Sequence, residues 1–108
     1  MNFKHINYVL TVLTEGSITA ASKKLFVSQP ALSQTIKLIE QDLGAPIFDR
    51  STDPISLTYA GQRYVEAAQA MLDIDRNLRA EIAETKKEVH GRMRVGISSQ
   101  RGIQLLPL

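Results

Sequence analysis

Apolar residues recur at helical spacing three times in the first half of the chain and once, over a much longer stretch, in the second. Phe3, Ile6, Val9, Leu10 and Leu13 share one face of a first helix. Glu15-Gly16-Ser17 then ends that helix and starts another. Gly16 suits the left-handed position after a helix end, and the Ser17 hydroxyl can accept free N–H groups of the next first turn. A second helix over 18–25 sets Ala21 and Leu25 on one side and Lys23 and Lys24 on the other. It is too short to stand alone.

Ser28 is placed to cap a third helix, with Pro30 in the first turn, where a missing N–H costs nothing. The pattern continues to Leu43, and Gly44 and Pro46 stop it. Ile47-Phe48-Asp49-Arg50 and Ile55-Ser56-Leu57 read as two short strands around Ser51-Thr52-Asp53-Pro54, a hairpin that Pro54 confines to an edge. Thr58 can cap the last helix, and no proline interrupts 59–89. At about 1.5 Å per residue such a helix spans about 45 Å, more than a small domain needs. Tyr64, Ala68, Met71, Leu78, Ile82 and Val89 fall along it at spacings of three, four and seven. The first half cannot cover a stripe of that length, so a second chain is expected to pair with it. His90-Gly91 is expected to break the helix, and Arg92 to Ser98 alternates like a strand. The expected class is therefore mainly α, with three helices and a two-stranded wing over 1–58, a long dimerising helix over 59–89, and a remainder at 90–108.

Placed on a helical wheel, the third helix divides into two arcs. Ala31, Leu32, Thr35, Ile36, Leu38, Ile39 and Leu43 form an arc expected to pack inward. Gln29, Pro30, Ser33, Gln34, Lys37 and Gln41 form the other, which near the N-terminus of the helix carries no acid, Glu40 and Asp42 coming later, where the helix should be leaving a groove. Two short helices, a tight turn between them and a hairpin behind are the arrangement of a winged helix-turn-helix. A polar, acid-free face suits a major groove, because amide and hydroxyl side chains match the donors and acceptors of base edges. Gln29 can pair with adenine, Ser33 with either partner, and the Pro30 ring or the Thr35 methyl can touch a thymine methyl. Lys37, a turn further on, is better placed for phosphate. On the wing, Arg50 with Ser51 and Thr52 offers a cation and two hydroxyls to the DNA backbone or minor groove, and Asp53 opposes it. Ser17 and Thr19 are first of all capping and first-turn residues, from which a backbone N–H can also meet a phosphate. Lys23 and Lys24 read equally as surface charges and as phosphate contacts.

Taken together, these residues resemble a known family. Gly16-Ser17-Ile18-Thr19-Ala20-Ala21, Leu25, Val27-Ser28-Gln29-Pro30-Ala31-Leu32-Ser33, Ile39-Glu40-Gln41-Asp42-Leu43-Gly44, Ile47-Phe48-Asp49-Arg50 and Leu57-Thr58-Tyr59-Ala60-Gly61 are similar to the winged helix-turn-helix of LysR-type transcriptional regulators. The resemblance implies that the long helix pairs antiparallel with its copy in a second chain and presents two recognition helices to two half-sites of double-stranded DNA. It also implies base-reading and backbone-contacting roles for Gln29, Pro30, Ser33 and Gln34, with Arg50 and its neighbours Ser51 and Thr52 on the wing; Ser28, Thr19 and Lys37 are expected DNA contacts beside them. Gln34 departs from the pattern, in which an arginine is frequent, and the wing lacks the glycines and extra basic residues often seen there. Family members continue into a two-lobed effector-binding domain whose first strand resembles Arg92 to Ser98. With the sequence ending at Leu108, no small-molecule effector is expected to bind this chain.

Composition narrows the alternatives. The chain has 108 residues, 44% of them apolar and 22% charged, a globular balance. It has no cysteine, and its two histidines, His5 and His90, are far apart, so no cofactor, metal or thiol chemistry is expected. The absence of a long apolar run or a signal-like N-terminus makes the cytoplasm the expected compartment. No acid, base and nucleophile come together, and no enzymatic activity is expected. The remaining alternative is an interaction module, in which the long helix captures a full-length regulator in a mixed dimer. The net charge of +2 does not locate the DNA-reading surface. Residues 1–58 hold Lys4, Lys23, Lys24, Lys37 and Arg50 against Glu15, Glu40, Asp42, Asp49 and Asp53, and are neutral. Where acids are missing is more informative than the total.

Overall fold

The computed structural model describes residues 1–91, with side chains through residue 86. Three helices come first: α1 (Phe3–Glu15), α2 (Ile18–Leu25) and α3 (Gln29–Leu43). A two-stranded antiparallel sheet follows, β1 (Phe48–Asp49) with β2 (Ser56–Leu57), in the register Phe48 to Leu57 and Asp49 to Ser56. The chain then enters α4 (Tyr59–Gly91). The expected final strand, Arg92 to Ser98, lies outside the described residues. The strands are shorter than the sequence pattern suggests, and α4 runs to Gly91 instead of ending at residue 89.

Local chemistry fixes the helix boundaries. Asn2 Oδ1 accepts the His5 N–H at 2.8 Å, Ser17 Oγ the Ala20 N–H at 3.0 Å, and Ser28 Oγ the Ala31 N–H at 3.2 Å. Gly16 closes α1 with φ 84°, a left-handed conformation that glycine adopts without strain. A Cβ there would also meet the Pro54 side chain at 3.1 Å, because the Gly16 carbonyl accepts the Ile55 N–H at 2.9 Å and draws the wing onto the α1–α2 turn. Thr58 Oγ1 accepts the Gly61 N–H at 2.9 Å and lies 2.6 Å from the Pro46 carbonyl, to which it donates.

The chain divides into two compact units, Met1–Ala70 and a second that begins at Met71. In the first, α1, α2 and α3 pack pairwise around Ile6, Val9, Val12, Ala21, Leu32, Ile36 and Ile39, all buried. Each large aliphatic side chain in this set stabilises the fold by about 1.5–3 kcal/mol relative to an exposed one. Ile47 and Phe48 of the wing and Tyr64 and Ala68 of α4 complete the core. The first three turns of α4 therefore belong to the first unit, and Gly61 is the reason they can. A Cβ at residue 61 would lie 2.0 Å from the Ile47 carbonyl oxygen.

The inward arc expected for α3 is too wide. Only Leu32, Ile36 and Ile39 are buried, a stripe about 60° across at about 100° per residue. Ala31 and Leu38 sit about a quarter turn to one side and are exposed, Leu38 by 52%. Leu43 keeps the right angle but lies in the last turn, where little covers it.

Candidate nucleic-acid interface

The N-terminal half of α3 presents the polar face the sequence predicts. Ser28, Gln29, Pro30, Gln34 and Lys37 are exposed, and Ser33 is half-buried. Gln29, Ser33 and Lys37 are each separated by four residues, so they run along one side of the helix over about 12 Å. The Ser28 hydroxyl oxygen is occupied by the Ala31 N–H, yet its hydrogen remains free to donate. Among the described residues, no hydrogen bond or ion pair engages the side chains of Gln29, Ser33, Gln34 or Lys37. Their donors and acceptors are open to a ligand. Thr19, in the first turn of α2, is exposed, as are Lys23 and Lys24 in its last turn.

The wing is different. Ser51 donates both its N–H, at 3.0 Å, and its hydroxyl, at 2.5 Å, to Asp49 Oδ1. Those two bonds hold the Asp49 carboxyl below the usual carboxylate range. Thr52 Oγ1 lies 3.0 Å from the Pro54 carbonyl and 3.3 Å from the Asp49 carbonyl, both pure acceptors, and 2.8 Å from Ser56 Oγ. The hydroxyl hydrogens of Ser51 and Thr52 are therefore engaged inside the wing. A phosphate oxygen accepts but does not donate, so in this arrangement the two hydroxyls expected to meet DNA are turned toward the wing itself. Arg50 is the wing's remaining cation, with 41% of its side chain exposed and Nη2 3.7 Å from Glu40 Oε1.

The residues expected to meet a second chain also separate. Tyr64 and Ala68 are 4% and 0% exposed, buried in the first unit, which corrects their assignment to a dimer contact. Tyr64 shares a cleft with Met1, Asn2, His5, Leu38, Ile39, Asp42 and Leu43. Its hydroxyl is buried without a partner, and burial, then the nearby Asp42 carboxylate, raise its pKa above the ordinary phenol value. Further along, Met71 is half-buried, while Ile74, Leu78 and Ile82, four residues apart, are 68%, 55% and 49% exposed. Ile74 is missing from the stripe read from sequence, although it stands four residues before Leu78. The Arg76–Asp73 and Arg79–Asp75 pairs, at 2.7 and 3.0 Å, are intrahelical, three and four residues apart.

Two residues escaped the sequence reading. Phe26 closes α2 in the left-handed region at φ 58° with 95% of its surface exposed, a conformation a bulky side chain seldom adopts. Glycine or asparagine is the usual signal for such a position, and neither is present. Glu40, in the sequence only one of five acids of the first 58 residues, reaches off α3 to the start of β1, where its carboxylate accepts the Ile47 and Phe48 N–H groups.

Among the described residues no cluster of three or more His, Asp or Glu side chains forms a metal site, and no helix is long and apolar enough to cross a membrane. A helix-turn-helix whose second helix bares a polar N-terminal face, backed by a two-stranded wing, defines the winged-helix class. Residues 3–62 match the family model described as "Bacterial regulatory helix-turn-helix protein, lysR family", and the chain belongs to that family. It is 32% identical over 108 residues to the HTH-type transcriptional regulator ClcR of Pseudomonas putida, covering 100% of this chain and 37% of ClcR. It is 31% identical over 97 residues to the regulator MetR of Haemophilus influenzae, covering 90% of this chain and 31% of MetR. The chain thus spans about a third of the length of these relatives. Among solved structures, the BenM DNA-binding domain in complex with benA site 1 DNA matches with TM-score 0.68 and 30% identity, over 85% of this chain and 100% of that one. The CbnR DNA-binding domain in complex with DNA matches with TM-score 0.65 and 34% identity, over 78% and 99%.

Proposed function

We propose that this chain is the DNA-binding region of a transcriptional regulator, working in the cytoplasm as a homodimer and catalysing no reaction. Residues 28–43 act as the recognition helix, lying in the major groove with the N-terminal turns toward the bases. The observation that carries this reading is the open polar face of Gln29, Ser33 and Lys37, with no acid over residues 29–39, on a helix whose opposite side is anchored in the core. The BenM and CbnR DNA-binding domains, which share this fold and stand in complex with DNA, support it. In this reading Gln29, Pro30, Ser33 and Gln34 meet base edges. Lys37, Arg50, Thr19 and the free hydroxyl hydrogen of Ser28 meet phosphates.

The dimer forms through α4 by its exposed stripe, Ile74, Leu78 and Ile82, with Met71 at the margin. Charged replacements at Ile74 and Leu78 are expected to give monomers in sedimentation; an unchanged dimer would remove this part of the reading. The test of the whole is selection of duplexes from a random-sequence pool, followed by affinity measurement on an enriched and an unselected duplex at two salt concentrations. Preference for the enriched duplex, with affinity falling as salt rises, supports direct reading. The same exposed stripe also fits capture of a full-length regulator in a mixed dimer. Under that second reading, no duplex is enriched and none binds even at low salt.

A further inference from the structure

Glu40 stands on α3, about three turns beyond Gln29, and its carboxylate works entirely off its own helix. Oε2 accepts the Ile47 N–H at 2.8 Å and the Phe48 N–H at 3.3 Å, where the chain enters β1. Oε1 faces Arg50 Nη2 at 3.7 Å, where the chain leaves β1. Only 16% of the Glu40 side chain is exposed, against 41% for Arg50. One acid on the recognition helix thus grips both ends of the first wing strand. Hydrogen bonds from N–H groups to a carboxylate are charge-assisted and directional, so they fix position as well as add energy. Arg50 is also the wing's sole cation, since the hydroxyls beside it are engaged internally and Asp49 and Asp53 carry the opposite charge.

We infer that Glu40 is a positioning residue for DNA recognition. It holds the Arg50 guanidinium at a fixed displacement from the Gln29–Ser33 face, so that base contacts and the wing's phosphate contact are made in one register. A guanidinium has five N–H donors and Glu40 engages one edge, which leaves others for a phosphate. The inference rests on the DNA-binding reading above and goes beyond it, because that reading needs only Arg50's charge, not its placement.

The two roles separate in a double-mutant cycle on the whole chain, measured on one enriched and one unselected duplex. The Arg50→Ala variant is expected to lose about tenfold in affinity on both, the scale of one charge-assisted contact. The Glu40→Gln variant keeps an oxygen for the Ile47 N–H but cannot pair with Arg50. It is expected to lose about tenfold on the enriched duplex only, with no further loss when combined with Arg50→Ala. Protection of the Ile47 amide from hydrogen exchange, retained in Glu40→Gln and lost in Glu40→Ala, verifies that the fold survives. Wild-type affinity of Glu40→Gln on the enriched duplex would reduce Glu40 to a structural acceptor and overturn the inference. Tighter binding of that variant to both duplexes would make Glu40 a neutraliser of Arg50 and overturn it equally. If the wild-type chain prefers no duplex, the DNA-binding reading itself fails, and the two failures are told apart by that control.

Discussion

The N-terminal face of α3, with its amides and hydroxyls, and the tip of the wing, with its hydroxyls, each carry a single cation, yet they differ in what those groups are free to do. On α3, Gln29, Gln34 and Lys37 are exposed, and no side-chain hydrogen bond or ion pair among the described residues engages them. On the wing, Ser51 and Thr52 donate inward to Asp49 and Pro54, and Arg50 leans on Glu40. The helix can offer its polar groups because its own backbone bonds are closed by the helix and its cap. A short two-stranded hairpin has few backbone bonds, and its side chains must supply the missing ones. A polar residue at a turn is therefore weaker evidence of a ligand contact than the same residue on a helix face.

Substitutions at four places probe this difference, the most damaging first. Replacing Gly61 by Ala drives a Cβ into the Ile47 carbonyl and should separate the wing from α4, costing more than about 3 kcal/mol in urea unfolding. An unfolding midpoint equal to wild type would show that the junction yields easily. Gln29→Ala and Ser33→Ala should each weaken binding to an enriched duplex by about 1–3 kcal/mol per lost base contact, with little change on unselected DNA. Ser51→Ala and Thr52→Ala should behave in the opposite sense, lowering the urea midpoint slightly and leaving DNA affinity unchanged. The Ser51 substitution should also relax Asp49. Since the folded Asp49 pKa is depressed, its small contribution is present above the ordinary carboxylate pKa and fades as pH falls through the folded value. A urea titration at neutral and acid pH should therefore show less acid sensitivity in the variant. Last, Phe26→Gly should raise stability by about 0.5–1 kcal/mol by relieving the left-handed aromatic. A loss would mean that Phe26 makes a contact its 95% exposure conceals.

What was legible in the sequence was local. Ser17, Ser28, Thr58, Gly16 and Gly44 announce the helix ends because a cap acts over three or four residues, a distance at which identity alone decides the partner. The open face of α3 follows from its period in the same way. The bonds of Glu40 reach seven and eight residues away across a turn, and Gly61 owes its role to Ile47 in another element. No spacing rule finds such partners. The apolar side chains of Leu38, Tyr64 and Ala68 were misplaced for a related reason. A wheel gives angles around an axis, but which angles are covered depends on where the neighbouring helices lie.

In this protein α3 is proposed to read sequence while the wing hydroxyls serve the fold. The direct measurement is the affinity ratio between an enriched and an unselected duplex for wild type, the Gln29→Ala/Ser33→Ala variant and the Ser51→Ala/Thr52→Ala variant at one salt concentration. A ratio that collapses in the helix variant and stays at the wild-type value in the wing variant is predicted. A ratio kept by the helix variant and lost by the wing variant would contradict the account.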